Sequence, residues 1–236
     1  LTGILGFVIE RTFLRPMVGE PVFSVAVLTI GIDILLRVVL DNWIGINPKY
    51  MGDPFPSFGN FGSLSIGGIT IKYLEVTALI ISLILIFVLS VFFKRSKYGV
   101  AMRATSLDQE AALAQGINVG RVFGLVWFIA GLLAAFAGFF ITGGFNTLTN
   151  SSFISALRAL PAVVIGGLDS ITGAVIGSLI IGLTQAYVGY YQFDIESAYN
   201  IRLGNGFSIV APYLIMFVIL LIKPHGLFGT EEVERV

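Results

Sequence analysis

The polar stretch KRSKYGVAMRATSLDQEAALAQGINVGR, from Lys94 to Arg121, separates two strongly apolar runs and decides how the chain is organised. Its five lysines and arginines outnumber its two acidic residues, Asp108 and Glu110. Loops rich in Lys and Arg that flank membrane spans stay on the cytoplasmic side. The stretch therefore predicts a cytoplasmic loop over 94–121 and sets the orientation of the spans on either side.

The centre of this loop predicts a short helix. Ser106 or Asp108 can cap it, because the oxygen of a short polar side chain accepts a hydrogen bond from a first-turn N–H group. Residues 109–115 are mostly good helix formers. Gly116 then supplies the stop, since glycine adopts the left-handed conformation at little cost. A short cytoplasmic helix between two spans suits the docking of a soluble partner.

The composition is that of an integral membrane protein. Of 236 residues, 56% are hydrophobic and 12% are charged, and the mean hydropathy is +0.92. A soluble domain has about 25% charged residues, so a lipid bilayer is the expected surrounding. The formal net charge of +0 argues against nucleic acid as a partner. With no cysteine and His225 as the only histidine, no metal site of thiolates or histidines and no His-based catalytic triad is expected.

Apolar runs predict an all-α polytopic bundle, since a crossing takes about 20 residues of helix. The chain opens on Leu1 inside an apolar run, so we expect a single transmembrane domain over 1–236 that lacks its N-terminal spans. Lys and Arg concentrate on the side of the 94–121 loop, which supports the topology. The predicted spans are about 1–9 (partial), 22–40, 74–93, 122–142, 157–168 (short or broken), 172–188 and 207–222.

Three segments between these spans are predicted to lie outside: 41–73, 143–158 and 190–206. Within the first, the alternating pattern from Leu64 to Ile71 around Gly67-Gly68 predicts a β-hairpin. This hairpin could receive a delivery protein or simply cap the bundle.

The segment 157–168 is predicted to be a short or broken crossing. The preceding span ends outside while the stretch 223–229 looks cytoplasmic, so an odd number of crossings must lie between them. As a helix, 157–168 would reach roughly 18 Å, against roughly 30 Å for the bilayer core. Broken helices expose backbone groups that transporters use to bind substrate, so Gly166, Gly167 and Asp169 are substrate-path candidates. The alternative is a tight cytoplasmic turn in which Asp169 caps the next helix.

Asp33 and Arg37 lie one helical turn apart inside the span 22–40. A charge near the bilayer centre costs about 3 kcal/mol on insertion scales, so each must face protein or water. The pair is therefore a candidate polar patch on the substrate path. The alternative is a self-satisfied i,i+4 ion pair, with Arg37 extending towards the membrane surface.

Small residues four apart predict close helix packing in lipid. Gly131 with Ala135, and Gly173 with Gly177, have this spacing. Such packing carries no information about the substrate.

The loop and the stretch after it also resemble a known family. Tyr98-Gly99, 102–104 and 116–118, together with 160–174 (LPAVVIGGLDSITGA), are similar to the branched-chain amino acid permeases of the LivH type. The loop helix resembles the EAA coupling motif of ABC importer permeases. The residues that match that motif are Asp108, Glu110, Ala111, Ala112, Gly116 and Ile117.

This resemblance implies a permease subunit in the cell membrane that imports hydrophobic amino acids delivered by an external binding protein. Cytoplasmic ATPase subunits would dock on the coupling helix and use ATP there, and a second permease, identical or homologous, would complete the pair. The chain itself would bind no cofactor and would not be an enzyme. It has no GxxxxGK[ST] phosphate loop with which to hydrolyse ATP.

Two alternatives remain open from the sequence. The same fold could import urea, short amides or a sugar. A secondary transporter or channel without an ATPase would instead need ion-coupling carboxylates at mid-membrane, for which Asp33 is the strong candidate.

Overall fold

The computed structural model describes residues 1–17, 20–45, 47–50, 63–66, 69–143, 147–148, 154–202, 204 and 206–229. Most of this part of the chain is helical, which confirms the predicted all-α class. It forms two compact units, Leu1–Asn150 and Ser151–Val236. The helices are α1 (Thr2–Ile9), α2 (Val22–Ile44), α3 (Tyr73–Arg95), α4 (Lys97–Leu107), α5 (Gln109–Ala114), α6 (Val119–Thr142), α7 (Ile154–Gly166), α8 (Ile171–Tyr199) and α9 (Phe207–Ile222).

Four helices in the described part of the chain are long and apolar enough to cross a membrane, namely α2, α3, α6 and α8. Two shorter apolar helices, α7 and α9, accompany them. Large apolar side chains stay exposed along these helices, and no residue of α3 is buried. Apolar surface on this scale requires lipid or another protein against it rather than water.

In the first unit, α1 packs along α6 through glycines. Gly6 lies against the backbone carbonyl of Trp127, and Gly131 lies against the carbonyl of Thr2. A side chain at either glycine would collide with that backbone. The two helices can therefore approach closely because these positions carry no Cβ.

Short antiparallel strand pairs lie in the segments that are predicted to be outside. The strands are β1 (Lys49–Tyr50), β2 (Ser63–Ile66), β3 (Ile69–Lys72) and β4 (Thr147–Leu148). Strands β2 and β3 pair with Leu64 opposite Ile71, which confirms the two strands of the hairpin. The Gly67-Gly68 turn of this hairpin lies outside the described residues. Strands β1 and β4 also pair, and so join the segments 41–73 and 143–158.

In the second unit, α7 and α8 form a tight antiparallel pair. Gly173 lies against the backbone of Gly166, and Gly177 lies against the carbonyl of Ala162. The helix α9 packs on both. The buried apolar core of this unit is formed by Ala162, Ile165 and Ile181.

The helix α8 is longer than its hydropathy predicts. The sequence predicts an outer loop over 190–206, but α8 continues to Tyr199, so this prediction is wrong for 190–199. Gln192 is buried, and its amide donates hydrogen bonds to Glu196 at 2.8 Å and to the Gly204 carbonyl at 2.6 Å. These bonds allow polar residues to extend a helix that hydropathy alone would end.

Candidate coupling helix and transport sites

The candidate coupling helix α5 begins at one of the two predicted caps. The Oδ1 atom of Asp108 accepts a hydrogen bond from the N–H of Ala111 at 2.9 Å. The Ser106 hydroxyl instead donates to the Arg103 carbonyl in α4. Asp108 also places a negative charge at the positive end of the helix, which stabilises it.

The end of α5 is set by Gly116, as the sequence predicts. Its φ is +80°, in the left-handed region that favours glycine. Its N–H donates to the Leu113 carbonyl at 2.9 Å, and the N–H of Ile117 donates to the Ala112 carbonyl at 3.0 Å. These two bonds satisfy carbonyls that the helix end would otherwise leave without a partner.

The predicted docking residues divide into an exposed set and an inward set. Ala112 is only 3% exposed and Ile117 is half-buried, so both hold α5 against the chain and are poorly placed to touch a partner. Gly116 has open space around it. The exposed predicted residues are Asp108, Glu110, Ala111 and Gly116.

A tight corner joins α3 to α4, the helix that leads into the candidate coupling helix. The Ser96 hydroxyl caps α4 by accepting a hydrogen bond from the N–H of Gly99 at 2.9 Å. Gly99 lies against the carbonyls of Phe92 and Phe93 at the end of α3, and the Arg103 guanidinium donates to the Phe93 carbonyl. The last carbonyls of α3 therefore anchor α4, the helix that precedes α5.

A buried ion pair, which sequence reasoning missed, links α1 to the start of α6. After α1 the chain makes a π-helical turn, Glu10–Leu14, and a 3-10 turn, Arg15–Met17. Glu10 is 1% exposed, and Arg15 donates to its carboxylate at 3.3 and 3.2 Å and to the Gly120 carbonyl at 2.8 Å. The sequence does contain a signal for this ion pair: an acidic residue follows an apolar run directly and lies five residues before an arginine.

The predicted break after α7 is a left-handed glycine turn. Gly167 has a φ of +100°, and its backbone lies against that of Gly229. The N-cap of α8 is Ser170, whose Oγ accepts a hydrogen bond from the N–H of Gly173 at 3.0 Å. The tight turn of the alternative reading is therefore present, with the N–H of Ser170 donating to the Gly167 carbonyl at 3.1 Å, but the cap is Ser170 and not the predicted Asp169.

Carbonyls at the end of α7 are already bonded within the chain. The carbonyl of Ile165 accepts from the N–H of Leu227 at 2.7 Å, and that of Gly166 accepts from the N–H of Phe228 at 3.1 Å. Both carbonyls therefore already accept a hydrogen bond from the backbone in this conformation, and neither needs a ligand to do so. A substrate-path role for Gly166, Gly167 and Asp169 stays a prediction.

Asp33 and Arg37 bond to each other along α2. Nε and Nη2 of Arg37 donate to the two carboxylate oxygens at 2.8 and 3.0 Å, which is the geometry of the i,i+4 pair. The side chains are 56% and 26% exposed, so the pair lies on the surface of the first unit. The position of this pair on a substrate path stays a prediction.

The residues predicted to pack helices have different environments. Gly131, Gly173 and Gly177 each lie against the backbone of a neighbouring helix in their own unit. Ala135 is exposed, one turn after Gly131. These close contacts between helices therefore form within one chain and need no second subunit.

These features define a class: a multi-pass helical membrane protein with a capped, exposed helix on a cationic loop between two spans. The chain also matches the family model described as branched-chain amino acid transport system, permease component, over residues 1–222. It belongs to this permease family and is a multi-pass protein of the cell membrane.

Individual relatives agree with this assignment. The chain is 28% identical over 237 residues to the high-affinity branched-chain amino acid transport system permease protein BraD of Pseudomonas aeruginosa, covering 100% of this chain and 74% of BraD. It is 30% identical over 242 residues to the corresponding protein LivH of Salmonella typhimurium, covering 100% of this chain and 73% of LivH.

A more distant relative is the galactose/methyl galactoside import permease protein MglC of Haemophilus influenzae. It is 29% identical over 179 residues, covering 65% of this chain and 52% of MglC. No solved structure matches the chain. All three of these relatives are named as transport permeases.

Proposed function

We propose that this chain is the membrane-spanning subunit of an ATP-driven ABC importer for branched-chain and other hydrophobic amino acids. The observation that carries the proposal is α5, a short helix with defined ends whose exposed residues lie in the cationic loop 94–121. The names of BraD and LivH support the cargo, since both are branched-chain amino acid permeases.

The proposal assigns the remaining tasks to partners. Cytoplasmic ATPase subunits dock on α5 and hydrolyse ATP, so this chain binds no cofactor and catalyses no reaction. An external binding protein delivers the amino acid. A second permease subunit, identical or homologous, forms the other half of the pathway.

Contacts within the first unit give a route by which docking can move the membrane helices. Arg103 ties α4 to the end of α3, and buried Ala112 holds α5 against the chain. Asn118 caps α6 by accepting a hydrogen bond from the N–H of Arg121 at 3.0 Å. Arg15 then joins the first turn of α6 to α1. A displacement of α5 is therefore passed to α3, α6 and α1 together.

The test compares two helix-ending glycines that both have positive φ but lie on opposite sides of the predicted membrane. Gly116 and Gly45 both have positive φ, +80° and +91°, and both have open space around them. We expect Gly116→Arg to abolish co-purification of the ATPase subunit and ATP-dependent uptake of leucine. Gly45→Arg is expected to retain both at near wild-type levels.

Two results would count against the proposal. The first is retention of the ATPase subunit by Gly116→Arg with normal uptake, which would remove α5 from the docking surface. The second is leucine uptake in vesicles that lack any ATPase, which would indicate a secondary transporter. A sugar cargo is the alternative that MglC favours, and competition of labelled leucine uptake by unlabelled galactose distinguishes it.

A further inference from the structure

We propose that the first unit binds the headgroup of an anionic phospholipid of the cytoplasmic leaflet through Arg11, Arg15 and Arg121. These three side chains line one cavity of about 520 Å³, together with Asn118. Basic pockets between membrane helices on the cytoplasmic side are typical sites for anionic headgroups. The site is separate from the exposed residues of α5, and the proposal does not depend on the cargo or on an ATPase.

The cavity has an excess of positive charge. Arg15 is neutralised by Glu10 at 3.2 Å, but Arg11 and Arg121 form no ion pair with any residue that the structure describes. Both of these side chains are exposed. Asn118 is the N-cap of α6, so the positive end of that helix also faces this region. Guanidinium groups bind phosphate oxygens with paired hydrogen bonds.

The cavity wall changes from polar to apolar along both helices, which favours a lipid over a small anion. Phe7 lies on α1, one turn before Arg11 in the π-helical turn that continues α1, while Leu125 and Phe128 lie one and two turns after Arg121 on α6. All of them line the same cavity. Because the arginines lie at the cytoplasmic end, the apolar side chains lie deeper in the membrane. A free phosphate would use only the arginines, whereas an acyl chain also buries apolar surface against this wall.

The experiment uses the full-length protein in mild detergent and native mass spectrometry. The protein is titrated with phosphatidylglycerol and with phosphatidylcholine of the same acyl chains. We expect tighter binding of phosphatidylglycerol, because only its headgroup carries a net negative charge. A basic residue near an anionic lipid contributes roughly a fivefold factor, so Arg11→Gln/Arg121→Gln should weaken phosphatidylglycerol binding by roughly 25-fold. The variant Arg11→Lys/Arg121→Lys should retain most of the preference.

A matched control removes the same charge outside the cavity. Lys94 and Arg95 lie in the last turn of α3 on the same side of the membrane, and neither lines this cavity. Lys94→Gln/Arg95→Gln should therefore keep the preference for phosphatidylglycerol. An equal loss in this control would mean that general surface charge, and not a site, attracts the lipid.

Other results would also overturn the proposal. If the wild-type protein shows no preference between the two lipids, the site does not exist, whether or not the glutamine variant folds. If glycerol phosphate binds as tightly as phosphatidylglycerol, the arginines form a site for a free phosphate. If Arg11→Gln/Arg121→Gln keeps the lipid preference but loses an ATPase subunit, these arginines belong to a protein interface.

Discussion

Replacing Arg15 by methionine is expected to destabilise the protein more than replacing Glu10 by glutamine, although both changes break the same ion pair. The reason is burial: the side chains of Glu10 and Arg15 are 1% and 38% exposed. Arg15→Met leaves a carboxylate buried without its cation, and removing one partner of a buried pair costs roughly 3–5 kcal/mol. Because Arg15 is partly solvated, the lower end applies, and we expect a loss of about 3 kcal/mol.

The loss from Glu10→Gln should be smaller for two reasons. Glutamine keeps an oxygen that can accept a hydrogen bond from Arg15, and water can reach the guanidinium that remains. A loss of about 1 kcal/mol is expected, close to the value of one hydrogen bond. The double variant Glu10→Gln/Arg15→Met should lose less stability than Arg15→Met alone, since it buries no unpaired charge.

The assay is equilibrium unfolding of the purified protein in mixed micelles with increasing dodecyl sulfate, which gives the free energy of unfolding. Arg11→Met is the control, because Arg11 is an exposed neighbour that forms no ion pair with any described residue. Its change should stay within about 0.5 kcal/mol. Equal losses from Arg15→Met and Glu10→Gln, or a loss from Arg15→Met no larger than from Arg11→Met, would refute the reasoning.

Two further substitutions test the packing of α8 and the polar pair in α2. Gly177→Ala should lower the free energy of unfolding by about 1–3 kcal/mol, because the added Cβ would meet a backbone carbonyl of α7. Gly182→Ala is the control and should be neutral or slightly stabilising, because Gly182 has open space around it. Equal effects of the two substitutions would contradict this reasoning. Asp33→Asn should lower the amount of protein in the membrane fraction, because it weakens the charge pairing of Arg37 within a span. The double variant Asp33→Asn/Arg37→Met should restore that amount. Quantitative immunoblotting measures both variants, and an unchanged amount of Asp33→Asn would exclude a structural role.

Where the structure follows the sequence, the determining interactions are local. The ends of α5 depend on Asp108 and Gly116, which act within one helical turn. The paired strands β2 and β3 depend on an alternating pattern over a few residues. The four membrane-length helices α2, α3, α6 and α8 follow from the length of apolar runs. Each of these signals lies within one continuous stretch of the chain.

Where the structure departs from the sequence reading, distant residues are responsible. The hydrogen bond from Arg15 to Gly120 joins residues 105 positions apart, and no local pattern pairs them. The extension of α8 to Tyr199 accompanies hydrogen bonds that Gln192 makes, one of them to the carbonyl of Gly204 beyond the helix. The burial of Ala112 distinguishes it from Ala111 beside it, although the two residues are identical in the sequence motif.

The sequence by itself determined that this is a helical membrane protein and where the short helix α5 begins and ends, because hydropathy and capping act over short stretches of chain. Only the tertiary structure decided which residues of that helix are exposed, and that the carbonyls of Ile165 and Gly166 are bonded by Leu227 and Phe228. It alone also placed Arg11, Arg15 and Arg121 around one cavity. The physical reason is that burial and charge clustering depend on which helices pack against each other, and this packing is determined by residues far apart in the chain.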